Sequence, residues 1–150
     1  MNLKKLNVLG KSMSQSGPSD NILKTILLLN GLGDLTLGFS LLFLSDILAS
    51  TLSFPHSAEI QYLAGGWGIA TLTLGGLRVV AGRSSDSRII RMTAFFGLLE
   101  GGLLSLFGLM MVVLNRLTFS QVSLAFVFSA LFTIAYLWSF LWRTHRLLKG

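Results

Sequence analysis

The sequence predicts an all-α integral membrane protein, a four-helix bundle with both termini in the cytoplasm. Three observations lead there. Hydrophobic residues make up 52% of the 150 and charged residues only 12%, with a mean hydropathy of +0.71. A soluble domain carries about twice that charged fraction, so this chain has too little polar material to cover a water-facing surface. Long apolar runs follow one another with short polar breaks, and Lys and Arg gather in alternate breaks. Such alternation is the mark of a chain that keeps its positive residues on the cytoplasmic side.

Residues 1–21 form a polar, mildly basic tail containing Lys4, Lys5 and Lys11. Its serines, Gly17 and Pro18 interrupt any apolar run long enough for a signal peptide. A short interfacial helix is expected around Leu3–Leu9, and Asp20 or Asn21 is expected to cap the helix that follows. Residues 22–142 are expected to be the transmembrane domain. Helix one covers 22–47, with apolar character to Thr51, and about 20 residues suffice to cross the hydrocarbon. Pro55 lies in the break that follows.

Helix two covers 60–81 and is rich in glycine, with Gly82 expected to end it. Gln61, Ala64, Gly68, Thr71, Gly75 and Arg78 recur at helical spacing and form one small-and-polar stripe, the expected packing face. Helix three covers 89–114 and carries Gly97-x-x-x-Gly101, a spacing that lets backbones approach closely. Asn115 and Arg116 mark a tight turn. Helix four covers 119–142 and ends in Tyr136, Trp138 and Trp142, read as an aromatic interfacial belt. Residues 143–150, with Arg143, Arg146 and Lys149, form a basic tail.

Four spans put every cluster of positive charge on one face: the N-terminal tail with Lys24, the loop with Arg83, Arg88 and Arg91, and the C-terminal tail. Arg116 alone falls on the other. An arrangement with helix one lying partly in the interface would leave three spans and spoil this pattern.

The stretch LLLNGLGDLTLGFSLLFL, from Leu27 to Leu44, sets the functional question. A charge near the bilayer centre costs about 2.5–3.5 kcal/mol on insertion scales. Asp34 therefore needs a partner, water or a proton. Asn30 sits one turn before it, and Glu100 falls at similar depth on helix three, which runs in the same direction. Arg78 on antiparallel helix two can reach either acid or snorkel to the headgroups. Asn30, Asp34, Glu100, Arg78, Gln61 and Thr71 are the candidate intramembrane polar site. Gly68, Gly75, Gly97 and Gly101 are the candidate packing residues. The site reads either as an interhelical clasp or as a place where one carboxylate carries a proton or binds a cation.

Several chemistries find no support. Without cysteine there are no disulfides and no thiolate metal sites. His56 and His145 lie in a loop and a tail, so no spanning helix offers a histidine to a cofactor. Metal-ligand spacing is absent, as is sequence support for a Ser–His–Asp arrangement. Gly82-Arg83-Ser84-Ser85 lacks the Gly-Lys core of a phosphate loop. No catalytic residue, metal or cofactor is expected, and the net charge of +6 fits topology and contact with anionic lipid at the cytoplasmic face, not nucleic acid.

The order of elements resembles that of many small bacterial four-helix membrane proteins of unassigned function. Gly68-Ile69-Ala70-Thr71-Leu72 followed by Arg78 is similar to the second helix of the four-helix sterol-synthesis scaffold family of the endoplasmic reticulum. Ala70 stands where that family has tryptophan, and Leu98 and Leu99 precede Glu100 where it has a histidine. These resemblances imply a bundle that can serve as an assembly platform. The functional expectation is a non-enzymatic structural, assembly or accessory subunit acting through helix packing, as a homo-oligomer or within a larger membrane complex. The alternative is a small proton- or cation-linked carrier using the intramembrane carboxylates. A lipid-modifying enzyme would have only His56, Glu59 and Arg116 on the outer side. The expected location is the bacterial inner membrane, with the endoplasmic reticulum as alternative.

Overall fold

A computed structural model of the protein describes residues 18–147. The tail preceding Pro18, including the helix expected around Leu3–Leu9, and Lys149 lie outside the described residues, as do the side chains of Arg143 and Arg146. The described chain is all helical, with α1 (Pro18–Phe43), α2 (Ser45–Thr51), α3 (Ala58–Arg83), α4 (Ser87–Val113) and α5 (Phe119–Leu147). All but α2 are long and apolar enough to cross a membrane. No strand occurs among the described residues.

The helix boundaries depart from expectation for physical reasons. α1 begins at Pro18, four residues before Ile22, because proline with its preset φ and missing N–H suits a first helical position. Asp20 therefore lies inside the first turn and does not cap it. It is buried, accepting from the Ser87 hydroxyl at 2.7 Å and from the Arg91 guanidinium at 3.2 Å, which ties the starts of α1 and α4 together. The expected single helix through residue 47 instead breaks at Leu44, which has φ −126° and ψ 24°. At about 1.5 Å per residue, the 26 residues of α1 already extend about 39 Å, beyond the roughly 30 Å hydrocarbon core. Past that depth the chain turns, and α2 carries the exposed Asp46 to the surface. Gly82 does not end α3. It is buried within the helix, which stops at Arg83.

The ends are chemically marked. Ser57 caps α3 by accepting from Ile60 N–H, and Asp86 caps α4 by accepting from Arg88 N–H. Gln121 reaches back to accept from Thr118 N–H at 2.8 Å, the return half of a capping box. α2 and α4 close on left-handed residues, Ser53 at φ 59° and Asn115 at φ 53°. In each, the left-handed residue and the next one donate backward to the helix: Ser53 to Ser50 and Phe54 to Ala49, Asn115 to Val112 and Arg116 to Met111. That double bond satisfies carbonyls a helix end would otherwise leave open.

Two antiparallel pairs dominate the packing. α1 meets α3 through glycines spaced seven residues apart on each helix: Gly31 faces Gly75, and Gly38 faces Gly68. A Cβ on Gly31 or Gly75 would lie 2.8 Å from the carbonyl oxygen of the other. The backbones touch because there is nothing between them, which is how helices gain dispersion contact where lipid removes the hydrophobic drive. α4 meets α5 through Gly97, covered by the Tyr136 ring, and Gly101, covered by Thr133 and the Ser129 carbonyl. α1 also contacts α4 and α5, joining the pairs. The buried apolar cluster of Leu23, Leu27, Ala81, Ile90, Ala94 and Tyr136 occupies the half nearer Arg83. Phe43, Val80, Phe96, Leu103, Val113 and Ile134 are exposed around the outside, as side chains facing lipid would be.

Candidate functional site

The half of the molecule nearer Pro55 is not filled. A cavity of about 1000 Å³ runs from that end down to Asp34, Thr71 and Glu100. Its walls are largely apolar, with Leu41 and Leu48 on one side, Trp67 on α3, and Leu104 and Phe128 on α4 and α5. Gln61 and Gln121 stand near the Pro55 end. Asp34 is 16 residues into α1 and Glu100 is 13 into α4, or about 24 Å and about 20 Å along their helices. Both carboxylates are thus near mid-span, at the floor of the cavity.

Arg78 joins them. It starts near the end of α3 and turns back toward mid-span, one terminal nitrogen donating to Asp34 Oδ2 and the other to Glu100 Oε2. Asp34 and Glu100, expected at similar depth, are thus joined indirectly, with a guanidinium between them. The planar fork of arginine suits this, because each of its two terminal nitrogens can take a different carboxylate. The Asp34 side chain is 9% exposed and that of Arg78 7%, whereas Glu100 is 42% exposed. Asp34 and Arg78 form the closed part of the trio, and Glu100 the open part.

The remaining candidates separate. Asn30 lies one turn from Asp34 but does not bond the trio. Its amide donates to the Tyr136 hydroxyl at 3.0 Å. Tyr136, expected in an interfacial belt, is fully buried against Gly97 instead. A phenol so far from water needs a polar partner, and Asn30 supplies it. Thr71 lines the cavity, but its hydroxyl donates to Trp67 O at 2.8 Å in its own helix. Gln61 lines the cavity near its Pro55 end, away from the trio, and donates to Asp46 Oδ1 at 2.7 Å.

That bond belongs to a polar cluster at the rim that sequence reasoning did not find. His56 Nε2 lies 3.1 Å from Ser50 Oγ, and His56 Nδ1 lies 3.9 Å from Asp46 Oδ1. Serine, histidine and aspartate thus come together, yet the Ser50 proton goes to the Asp46 carbonyl at 2.8 Å, within its helix. The Nδ1 separation is too long for a hydrogen bond. The cluster braces α2 against the start of α3. Gln121 adds a second brace, donating to Ser53 O at 3.1 Å. Among the described residues no group of His, Asp and Glu is disposed to hold a metal ion.

No protein-family model, curated protein or solved structure matches this chain.

Proposed function

We propose that this chain is an integral protein of the bacterial inner membrane, with both termini cytoplasmic, that holds an amphipathic small molecule in the cavity between its helices. The guest enters from the Pro55 side, the outer face in this orientation, and is held or passed on without covalent chemistry. One observation carries the reading: the cavity reaches the charged trio. A clasp whose only task was to join helices would be packed shut, because an open volume beside it forfeits dispersion contacts. Binding sites characteristically combine apolar walls with a few polar groups that fix orientation. The orientation rests on the charge pattern, with Lys24, Arg83, Arg88 and Arg91 at one end and Arg116 at the other.

A 12-bromododecanol titration in nanodiscs tests this. In a chain with Trp138→Phe and Trp142→Phe, Trp67 on the cavity wall is the remaining tryptophan. The expected result is saturable quenching beyond that of bilayer-dissolved bromide, lost in Ala125→Phe with no drop in melting temperature. Quenching that is linear and equal in both chains would remove the reading.

The accessory-subunit reading is kept by a different observation. Gly68 and Gly75 are used inside the chain, but added Cβ atoms at Gly65, Gly66 and Gly76 would meet nothing within 4 Å. These glycines leave a small-residue surface on α3 against which a further helix could close.

A further inference from the structure

We propose that the guest of this cavity is an organic cation, a protonated amine or quaternary onium group on an apolar body, with Glu100 as its counter-ion. The inference rests on the binding-cavity reading and adds the charge of the ligand. The lining residues include two carboxylates and no lysine, arginine or histidine. Arg78 approaches the same carboxylates from α3, and its one positive charge faces two negative ones. With both acids ionised, the floor carries one uncompensated negative charge.

The geometry says where that charge lies. Asp34 is enclosed with Arg78, whereas Glu100 is open to the cavity, at 42% exposure against 9%. Arg78 engages Glu100 through Oε2, and Oε1 takes no hydrogen bond from a described residue. A carboxylate oxygen in an apolar cavity attracts a positive group far more strongly than it would in water. The walls suit the rest of such a molecule. Trp67 and Phe128 place aromatic rings, which attract cations, among the lining residues, and leucines surround the apolar body. An anionic amphiphile would meet the uncompensated charge, and a neutral one would leave it unpaired.

The test is binding of tritiated tetraphenylphosphonium to the full chain in nanodiscs, read by scintillation proximity, with competition by dodecyltrimethylammonium, dodecanol and dodecyl sulfate. Saturable binding is expected, displaced by dodecyltrimethylammonium at least tenfold more effectively than by dodecanol, and not by dodecyl sulfate. Glu100→Gln should weaken tetraphenylphosphonium at least tenfold. Glu100→Asp, which restores the charge, should recover part of the loss. If dodecanol displaces tetraphenylphosphonium as well as dodecyltrimethylammonium does, or Glu100→Gln binds the cation normally, the cation assignment is overturned while saturable 12-bromododecanol quenching keeps the cavity reading. If neither probe binds saturably, both fail.

Discussion

Arg78→Leu is expected to destabilise the protein by about 3–5 kcal/mol, the usual cost of removing one partner from a buried ion pair. The penalty comes from what remains. Asp34 would be left enclosed without its cation, near mid-span, and would have to take up a proton or admit water. The double substitution Arg78→Leu with Asp34→Leu should recover most of the loss, since apolar replacement of both members of a buried pair is often neutral. Glu100→Gln should cost much less, because Glu100 is partly exposed and glutamine still accepts from Arg78. Thermal unfolding in detergent of the three variants checks the order. If Arg78→Leu melted with the parent, the trio would not hold the helices together.

Gly75→Leu is the second large effect, at about 2–3 kcal/mol. The new side chain would begin 2.8 Å from the Gly31 carbonyl oxygen and 2.9 Å from Leu35 N, both backbone atoms that no rotamer can move. α1 and α3 would have to separate, drawing Arg78 away from Asp34. Gly76→Leu, one residue along, provides the contrast. A Cβ there meets nothing within 4 Å, so its melting temperature should match or exceed the parent's, leucine being the better helix former. Equal losses at both positions would mean that glycine content, not close approach, governs stability.

Most of the architecture was legible because composition and hydrophobic run length are strong signals in a membrane chain. The four long helices stand where the apolar runs predicted them, within a few residues except at the ends of α1 and α5. The roles of Gly68, Gly75, Gly97 and Gly101 in close packing also followed from spacing. Gly31 and Gly38 were missed as their counterparts, although they repeat the same seven-residue interval as Gly68 and Gly75. Matching intervals on successive antiparallel helices are a readable sign of a shared seam.

The site was legible in its members more than in its connections. Asp34, Glu100 and Arg78 stood out because each is costly in an apolar segment. That Arg78 bridges the acids depends on the direction a long side chain takes, which sequence does not specify. The neighbours Trp138 and Trp142 suggest an interfacial Tyr136, though it belongs to another face and is buried against Gly97. Ser129, Thr133 and Tyr136 follow at four and three residues, the stripe that meets Gly97 and Gly101. The cavity was invisible, because it depends on how α2 and the Pro55 loop sit beside the helices. The rim cluster of Asp46, Ser50, His56 and Gln61 was hidden for the same reason.

The absence of cysteine allows a direct test of the central claim, that a cavity connects the Pro55 face to the charged trio. Thr71→Cys places a thiol deep in the cavity wall, while Arg116→Cys and Ser85→Cys mark the two faces. Each would be exposed, in oriented membranes, to a membrane-impermeant cationic thiosulfonate applied to one side. Thr71→Cys is expected to react from the same side as Arg116→Cys, with tetraphenylphosphonium slowing the reaction. No reaction at Thr71→Cys, or reaction only from the Ser85→Cys side, would contradict it.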